Sequence, residues 1–273
     1  YSKILLIVLM KKISFLFFTI FISACAIDAT KKENFEETKL ISSISGKYVG
    51  IELNNSHQWL GIPYAEPPEG GLRWKAPRAL TKQKDIVKAL KFSDPCPQVP
   101  SISLDRGGKG EYTGTENCLY LNVFTPKKLT SDKKLPVMFW IHGGGNTSGE
   151  SASYDFSKLV NAHELVVVSI NYRLGFLGWF YHPAFAATSN NLEDKSGNFG
   201  TLDQIMALKW VKQNIGDFGG DKNNVTIFGE SAGGHNVFAL LSSPLAKGLF
   251  HKAISQSGAT NTFDLKEASK FFD

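Results

Sequence analysis

The sequence predicts an α/β fold in which an antiparallel N-terminal part precedes a mostly parallel central sheet. Two observations carry this prediction. After Pro136, short apolar runs rich in β-branched residues alternate with stretches of helical periodicity, as expected for strands that a parallel sheet buries on both faces. Before Pro136, strand-like stretches lead into turns rich in proline and glycine, which is typical of antiparallel pairing. We expect right-handed crossovers between the parallel strands.

The individual elements follow in chain order. The predicted strands are GKYVGIEL (46–53), WLGIPYAEPPEGG (59–71, ending in its turn), LYLNVFTP (119–126), VMFWI (137–141), LVVVSI (165–170), VTIF (225–228) and KAISQ (252–256). Between the strands LVVVSI and VTIF, the stretch TLDQIMALKWVKQNIG (201–216) carries apolar residues at helical spacing. This spacing predicts a helix with a wide buried stripe that stops at Gly216.

Residues 1–24 predict an export signal. Lys11 and Lys12 precede the apolar stretch ISFLFFTIFI (13–22), which is too short to span a bilayer. The alternative is one membrane anchor over 4–22, but each lysine at mid-membrane would cost about 2.5–3.5 kcal/mol. Residues 1–9 precede the first plausible start, Met10, so upstream readthrough is one interpretation of them.

The end of the signal, ISAC (22–25), resembles the lipobox of bacterial lipoproteins and predicts lipidation of Cys25. Ala24-Cys25-Ala26 also fits an ordinary cleavage site. The prediction is therefore an exported protein, either a membrane-anchored lipoprotein or a periplasmic or secreted one. Residues 31–45 are polar and TKKENFEETK lacks apolar periodicity, so residues 25–43 are predicted to be a tether before a domain over 44–273.

Charge and cysteine content narrow the function classes. The first 24 residues hold three of the 30 basic residues and no acid, which leaves 27 basic against 25 acidic residues, or +2. This balance argues against a nucleic-acid partner.

Two further cysteines, Cys96 and Cys118, form an even pair in an oxidising compartment. They predict a disulfide, with two buried thiols as the alternative.

FGESAGGHN (228–236) is the first candidate for chemistry. Ser231 lies between glycines, after the strand VTIF and before a helical stretch. Glycines on both sides permit a tight turn that lifts a nucleophilic serine above the sheet, and the following helix aims its amides at negative charge. The letters alone are weak evidence, because GESA also occurs at 149–152 without a strand-to-helix change.

The second candidate is His142-Gly143-Gly144-Gly145, directly after the strand VMFWI. Backbone amides of such glycines can approach a substrate oxyanion, and each donor of this kind stabilises the transition state by about 3–4 kcal/mol. A flexible loop is the alternative.

These motifs, taken together, resemble the type B carboxylesterases, the cholinesterase-like branch of the α/β-hydrolases, from about residue 44 to 260. The resemblance implies an α/β-hydrolase fold that this chain follows through the elbow helix and the next strand. It also implies hydrolysis of small carboxylic esters through an acyl-enzyme, without metal or organic cofactor. The stretches that carry it, in the family's order, are WLGIPYAEPPEGGLRWKAP, TENCLYLNVFTP, PVMFWIHGGG, NYRLGFLGWF, GNFGTLDQIMALKWVKQNIGDFGGDKNNVTIFGESAGG and SQSG.

The resemblance also assigns roles to single residues. It implies Ser231 as nucleophile, oxyanion-hole amides on Gly144, Gly145 and Ala232, a disulfide between Cys96 and Cys118, and internal structural ion pairs of Arg73 with Glu116 and of Arg173 with Asp203.

Three departures from the family pattern matter. Asn117 stands where the family usually has aspartate, and Asn146 stands where a phenylalanine usually follows the glycines. Asn146 is expected to reshape the acyl pocket. The loop 96–118 contains no tryptophan, whereas choline binding needs an aromatic face there. Choline esters are therefore not expected as preferred substrates.

The catalytic acid and histidine of the family should follow Ser231 in that order, and neither can be placed before residue 273. None of the six histidines is assigned as base, and His235 is expected to pack or cap locally. The chain is thus predicted to be the N-terminal half of an esterase, inactive alone. The alternatives are a decayed pseudoenzyme or a non-catalytic cholinesterase-like binding protein, and, among enzymes, a thioesterase or amidase.

Overall fold

A computed structural model of the chain describes residues 35–99, 111–128 and 133–260. The predicted signal, Cys25 and the first part of the predicted tether lie outside these ranges. The strands are β1 Glu36–Glu37, β2 Ile41–Ser42, β3 Lys47–Val49, β4 Ile51–Leu53, β5 Ser56–Pro63, β6 Ile86–Lys88, β7 Tyr120–Pro126, β8 Leu135–Ile141, β9 Val166–Ile170, β10 Gly220–Glu230 and β11 Lys252–Gln256. The α-helices are α1 Ser157–His163, α2 Gly175–Gly178, α3 Pro183–Ala187, α4 Phe199–Asn214 and α5 Ala232–Ser242.

Eight of these strands form the central sheet, in the order β1-β4-β5-β7-β9-β8-β10-β11. Pairing is antiparallel from β1 to β9 and parallel from β9 through β8 and β10 to β11. The predicted division into an antiparallel N-terminal part and a parallel part is confirmed. A second, smaller sheet has the order β2-β3-β6.

The domain begins earlier than the predicted boundary near residue 44. Glu36–Glu37 pairs with β4 and Ile41–Ser42 pairs with β3, both antiparallel, and the compact unit starts at Glu36. The tether prediction relied on the lack of apolar periodicity. Pairing at a sheet edge uses backbone N–H and C=O groups, so these mostly exposed residues join the sheets without burying apolar side chains.

Apolar side chains on the two faces of the sheet build two separate clusters. Val166 and Val168 of β9 lie in one cluster together with residues of α4 and α5. Val167, which points to the opposite face, lies in the other cluster with Val160 of α1. The alternation follows from the two-residue period of a strand. It explains why β9 reads as a continuous apolar run in the sequence.

Helix α4 is the long helix that the sequence predicted, with small differences at its ends. It begins at Phe199 and ends at Asn214, and a 3-10 turn over Ile215–Phe218 follows. The helical segment therefore ends at Gly219, whose φ is 87°, rather than at Gly216. A glycine in the left-handed region after a helix end is favoured because it has no Cβ to clash.

The predicted disulfide is present, and it joins Cys96 to Cys118 just before β7. Both cysteines are buried in the larger apolar cluster. The alternative of two free thiols is therefore excluded in this structure.

The two predicted ion pairs form, but in different surroundings. Arg173, after β9, is 2% exposed, and its Nη2 and Nε lie 2.7 and 2.8 Å from the carboxylate oxygens of Asp203 on α4, which is 0% exposed. The Arg173 Nη1 also donates to the carbonyl of Lys75 at 2.8 Å. In contrast, Arg73 is 40% exposed where its Nε meets Glu116 at 2.7 Å. That second pair lies at the surface, contrary to the expectation that both are internal.

The difference in burial predicts unequal effects on stability. Asp203→Ala leaves the Arg173 guanidinium buried without its partner, so the free energy of unfolding should fall by about 3–5 kcal/mol. Glu116→Ala, the matched control at the exposed pair, should change it far less because water screens that pair. Urea denaturation of the complete protein followed by circular dichroism measures both, and equal losses in the two variants would contradict the assignment.

Candidate active site

The turn between β10 and α5 places Ser231 in a strained backbone conformation. Its φ is 54° and its ψ is −119°, a region that costs a non-glycine residue about 1–3 kcal/mol and is found at functional sites. The surrounding structure holds it there. The Ser231 N–H donates to the carbonyl of Gln256 at the end of β11 (2.9 Å), and the Ser231 carbonyl accepts from His235 N–H (3.0 Å).

The flanking glycines are required because backbone segments touch at this turn. A Cβ on Gly229 would lie 2.5 Å from the carbonyl oxygen of Gly233. A Cβ on Gly233 would lie 2.1 Å from the carbonyl oxygen of Ile141, the last residue of β8. The glycines therefore let the elbow pack directly onto the end of β8, as the sequence motif predicts.

The glycine loop after β8 lies beside the elbow. A Cβ on Gly143 would be 3.3 Å from the Cβ of Ser231. Gly144 and Gly145 have φ values of 99° and 66°, and the Gly144 carbonyl accepts the N–H groups of Thr147 (3.1 Å) and Ser148 (3.0 Å). Since β8 and β10 are parallel neighbours, the two motifs, distant in sequence, meet at the carboxyl ends of their strands.

Three backbone amides remain available near Ser231. In the part of the chain that the structure describes, the amides of Gly144 and Gly145 donate no hydrogen bond. Ala232 is the first residue of α5, and the first four N–H groups of a helix have no intrahelical acceptor. Such donors can stabilise an oxyanion that develops on an acyl group attached to Ser231.

The His142 side chain packs against the glycine loop. It is 1% exposed, its Nδ1 lies 2.8 Å from the Gly143 carbonyl oxygen, and its ring stacks on Tyr172 at 4.3 Å. The Tyr172 hydroxyl donates to the His142 carbonyl at 2.6 Å. Burial lowers the pKa of His142 to about 4, so the ring is neutral at pH 7 and binds a proton only weakly. Its contacts are those of a group that packs against the loop.

Other histidines also serve local roles. Nδ1 of His235 accepts the N–H of Ala259 at 3.0 Å, which agrees with the predicted local capping. His251 accepts from Val225 N–H at 3.1 Å, and His182 accepts from Ala184 N–H at 3.1 Å. Among the described residues, none forms a hydrogen bond with the Ser231 hydroxyl. Within the described ranges, the structure thus places the predicted nucleophile beside the predicted glycine loop and places no base on the Ser231 hydroxyl.

The sequence analysis missed one residue of this region, Asn236 on α5. Its side chain is bonded to that of Asn146, which directly follows the three glycines. Asn236 lies five positions after Ser231, and a polar residue in the first turns of an otherwise apolar helix was the available signal.

Within the described residues, no group of three or more histidine, cysteine, aspartate or glutamate side chains is arranged to hold a metal ion. No helix of these ranges combines the length and apolar character needed to cross a membrane.

Comparison with known proteins places the chain in a family. The model of the carboxylesterase family matches residues 33–271. A para-nitrobenzyl esterase of Bacillus subtilis (strain 168) is 46% identical over 233 residues, covering 85% of this chain and 46% of the relative. A fatty acyl-CoA hydrolase precursor (medium chain) of Anas platyrhynchos is 42% identical over 246 residues, covering 87% and 43%. The solved structure of a thermophilic PNB esterase aligns with a TM-score of 0.76 at 45% identity, covering 85% and 46%.

The chain spans less than half the length of these relatives. The family match nevertheless extends over most of its residues, and it contains the elbow and the glycine loop. This chain belongs to the carboxylesterase family.

Proposed function

We propose that the complete protein hydrolyses carboxylic esters and that Ser231 is its nucleophile. The observation that carries the proposal is the position of Ser231, at a strained elbow directly beside the glycine loop. Family membership supports the same activity. We assign the oxyanion-hole amides to Gly144, Gly145 and Ala232.

The reaction runs in two halves. The Ser231 hydroxyl oxygen attacks the ester carbonyl as a base takes its proton, and the negative charge on the former carbonyl oxygen is stabilised by the three amides. The carbon–oxygen bond to the alcohol then breaks, and the alcohol leaves with a proton. Water attacks the acyl-enzyme by the same route and releases the acid and free Ser231. No described histidine side chain forms a hydrogen bond with the Ser231 hydroxyl, so the base and its acidic partner are assigned to residues outside the described ranges.

The Ser231 hydroxyl is the group to test first. In the complete protein, Ser231→Ala should abolish turnover of a short-chain p-nitrophenyl ester and labelling by a fluorophosphonate probe, which reacts only with an activated serine. Ser151→Ala is the matched control, because Ser151 stands in the same GESA letters but binds Asn122 inside the fold. Normal ester turnover by Ser231→Ala would refute the nucleophile. An unlabelled wild-type protein would instead favour a binding protein or a decayed enzyme.

A thioester substrate is the second candidate, and the observation that favours it is the relative named as a fatty acyl-CoA hydrolase. The same nucleophile and amides would serve either reaction, since both pass through a tetrahedral oxyanion. Rates on an ester, a thioester and an amide with one common acyl group separate the activities.

Choline esters should be poor substrates. The loop 96–118 has no tryptophan, the side chain that binds a quaternary ammonium best, and Tyr112 is its one aromatic residue. The complete protein should therefore show a lower kcat/KM for acetylthiocholine than for a neutral short-chain thioester with the same acetyl group. A higher value for acetylthiocholine would overturn this expectation.

We further propose export of the protein and lipid anchoring through Cys25. The basic and apolar pattern of 1–24 and the sequence ISAC support this proposal. Mass spectrometry of the mature N-terminus should find Cys25 as the first residue with a diacylglyceryl group. A mature N-terminus without that group would refute the lipid anchor and leave a periplasmic or secreted protein. Cys25→Ser should release the protein from the membrane fraction.

A further inference from the structure

Two asparagine side chains connect the glycine loop to the helix that carries the nucleophile. Asn146 directly follows Gly145, and Asn236 lies on α5 in the turn after Ser231. The Asn236 Nδ2 donates to the Asn146 Oδ1 at 2.9 Å, and the Asn146 Nδ2 donates to the Asn236 Oδ1 at 3.4 Å. The two amides thus face each other and exchange hydrogen bonds in both directions.

The partners of this amide pair are themselves fixed. Asn236 is 4% exposed, so its amide group has little access to water as an alternative partner. The Tyr172 hydroxyl lies 3.5 Å from the Asn146 Oδ1 and 2.6 Å from the His142 carbonyl oxygen. The Asn146 carbonyl accepts the N–H of Gly175, at the start of α2, at 2.7 Å. The end of the glycine loop is therefore held from α5, from the segment after β9 and from α2.

Such bracing matters because the two glycines have no side chains with which to fix their own amides. Without a Cβ, Gly144 and Gly145 can adopt many backbone conformations besides the positive φ values seen here. Oxyanion donors stabilise a transition state only when they are held at the correct distance before the reaction. The first side chain after the glycines is that of Asn146. The hydrogen bond between Asn146 and Asn236 joins the loop to helix α5. The same helix begins at Ala232, directly after Ser231.

We propose that Asn236 is a positioning residue that, through Asn146, keeps the Gly144 and Gly145 amides in register with Ser231. The inference rests on the proposed esterase function. It predicts that loss of the amide pair weakens transition-state stabilisation more than ground-state ester binding, because the Asn146 side chain, which the sequence placed at the acyl pocket, is bonded to Asn236 instead.

The test compares Asn236→Ala, Asn146→Gly and the double variant in the complete protein. Glycine is chosen at position 146 because Asn146 has a φ of 57°, which glycine adopts without strain. Steady-state kinetics on a short-chain p-nitrophenyl ester give kcat and KM, with kcat expressed per reactive serine titrated by a fluorophosphonate. Asn161→Ala is the matched control, because its amide bonds only to backbone carbonyls around α1, away from the site.

Each single variant should lower kcat about 10-fold, with KM changed less than about twofold, since misplacement of catalytic groups by about 1 Å costs up to about 100-fold. The double variant should lose no more than either single variant, because the two changes remove one shared interaction. Asn161→Ala should keep the parent kcat and KM.

Three outcomes would overturn the inference. They are an unchanged kcat in Asn236→Ala, a double variant that loses about 100-fold because two independent effects multiply, and a rise in KM at constant kcat. Thermal unfolding midpoints of all variants identify a folding defect, and if Asn236→Ala does not fold, Asn146→Gly decides alone, because its side chain is only half-buried. A parent protein without ester turnover refutes the proposed function, whereas an active parent with unaffected variants refutes the positioning role alone.

Discussion

The close approach of the α5 N-terminus to the end of β8 is the constraint on which the site depends. Gly233 lies so near the Ile141 carbonyl that a Cβ would be 2.1 Å from that oxygen. No side chain separates the elbow from the strand, and the glycine loop continues from the same strand end. Parallel pairing of β8 with β10 then places Ser231 and Gly143 side by side. The position of Ser231 beside the glycine loop therefore follows from contact between backbones.

The segment after β9 links stability to the site. Arg173 holds α4 through the buried Asp203, and the neighbouring Tyr172 hydroxyl holds the His142 carbonyl under the glycine loop. Two residues after Arg173, the Gly175 N–H donates to the Asn146 carbonyl. A short stretch of chain thus anchors a helix on one side and the oxyanion loop on the other. Because buried charges must stay paired, the ion pair fixes the segment from which the loop is supported.

Much of the fold was predictable from local patterns, and the reasons differ between elements. The run VTIF followed by GESAGG predicted both β10 and the elbow, since a strand, a glycine turn and a helix are adjacent in sequence. The small N-terminal strands were not predicted, because Glu36–Glu37 is exposed and pairs through backbone groups alone. The sequence also did not predict which of the two ion pairs is buried. Arg73 and Arg173 look alike in sequence, yet only the second enters the core.

The same limit applies to the site. Ser231 and the glycines can be predicted from their spacing in the sequence. The Asn146–Asn236 pair instead joins residues 90 positions apart and depends on how α5 packs beside the loop. An isolated asparagine in a helix carries no signal for its partner.

The two stacked rings that support the glycine loop, those of His142 and Tyr172, are both neutral. The pKa of His142 is lowered to about 4 because its ring is buried, and burial raises the pKa of Tyr172 far above its ordinary value. Both rings therefore stay uncharged across the neutral range, and the loop they support does not change charge there. A developing oxyanion would then be stabilised by fixed amide dipoles, which need no counter-ion and little reorganisation. Titration of His142 and Tyr172 should therefore add no pH dependence to the reaction near neutrality.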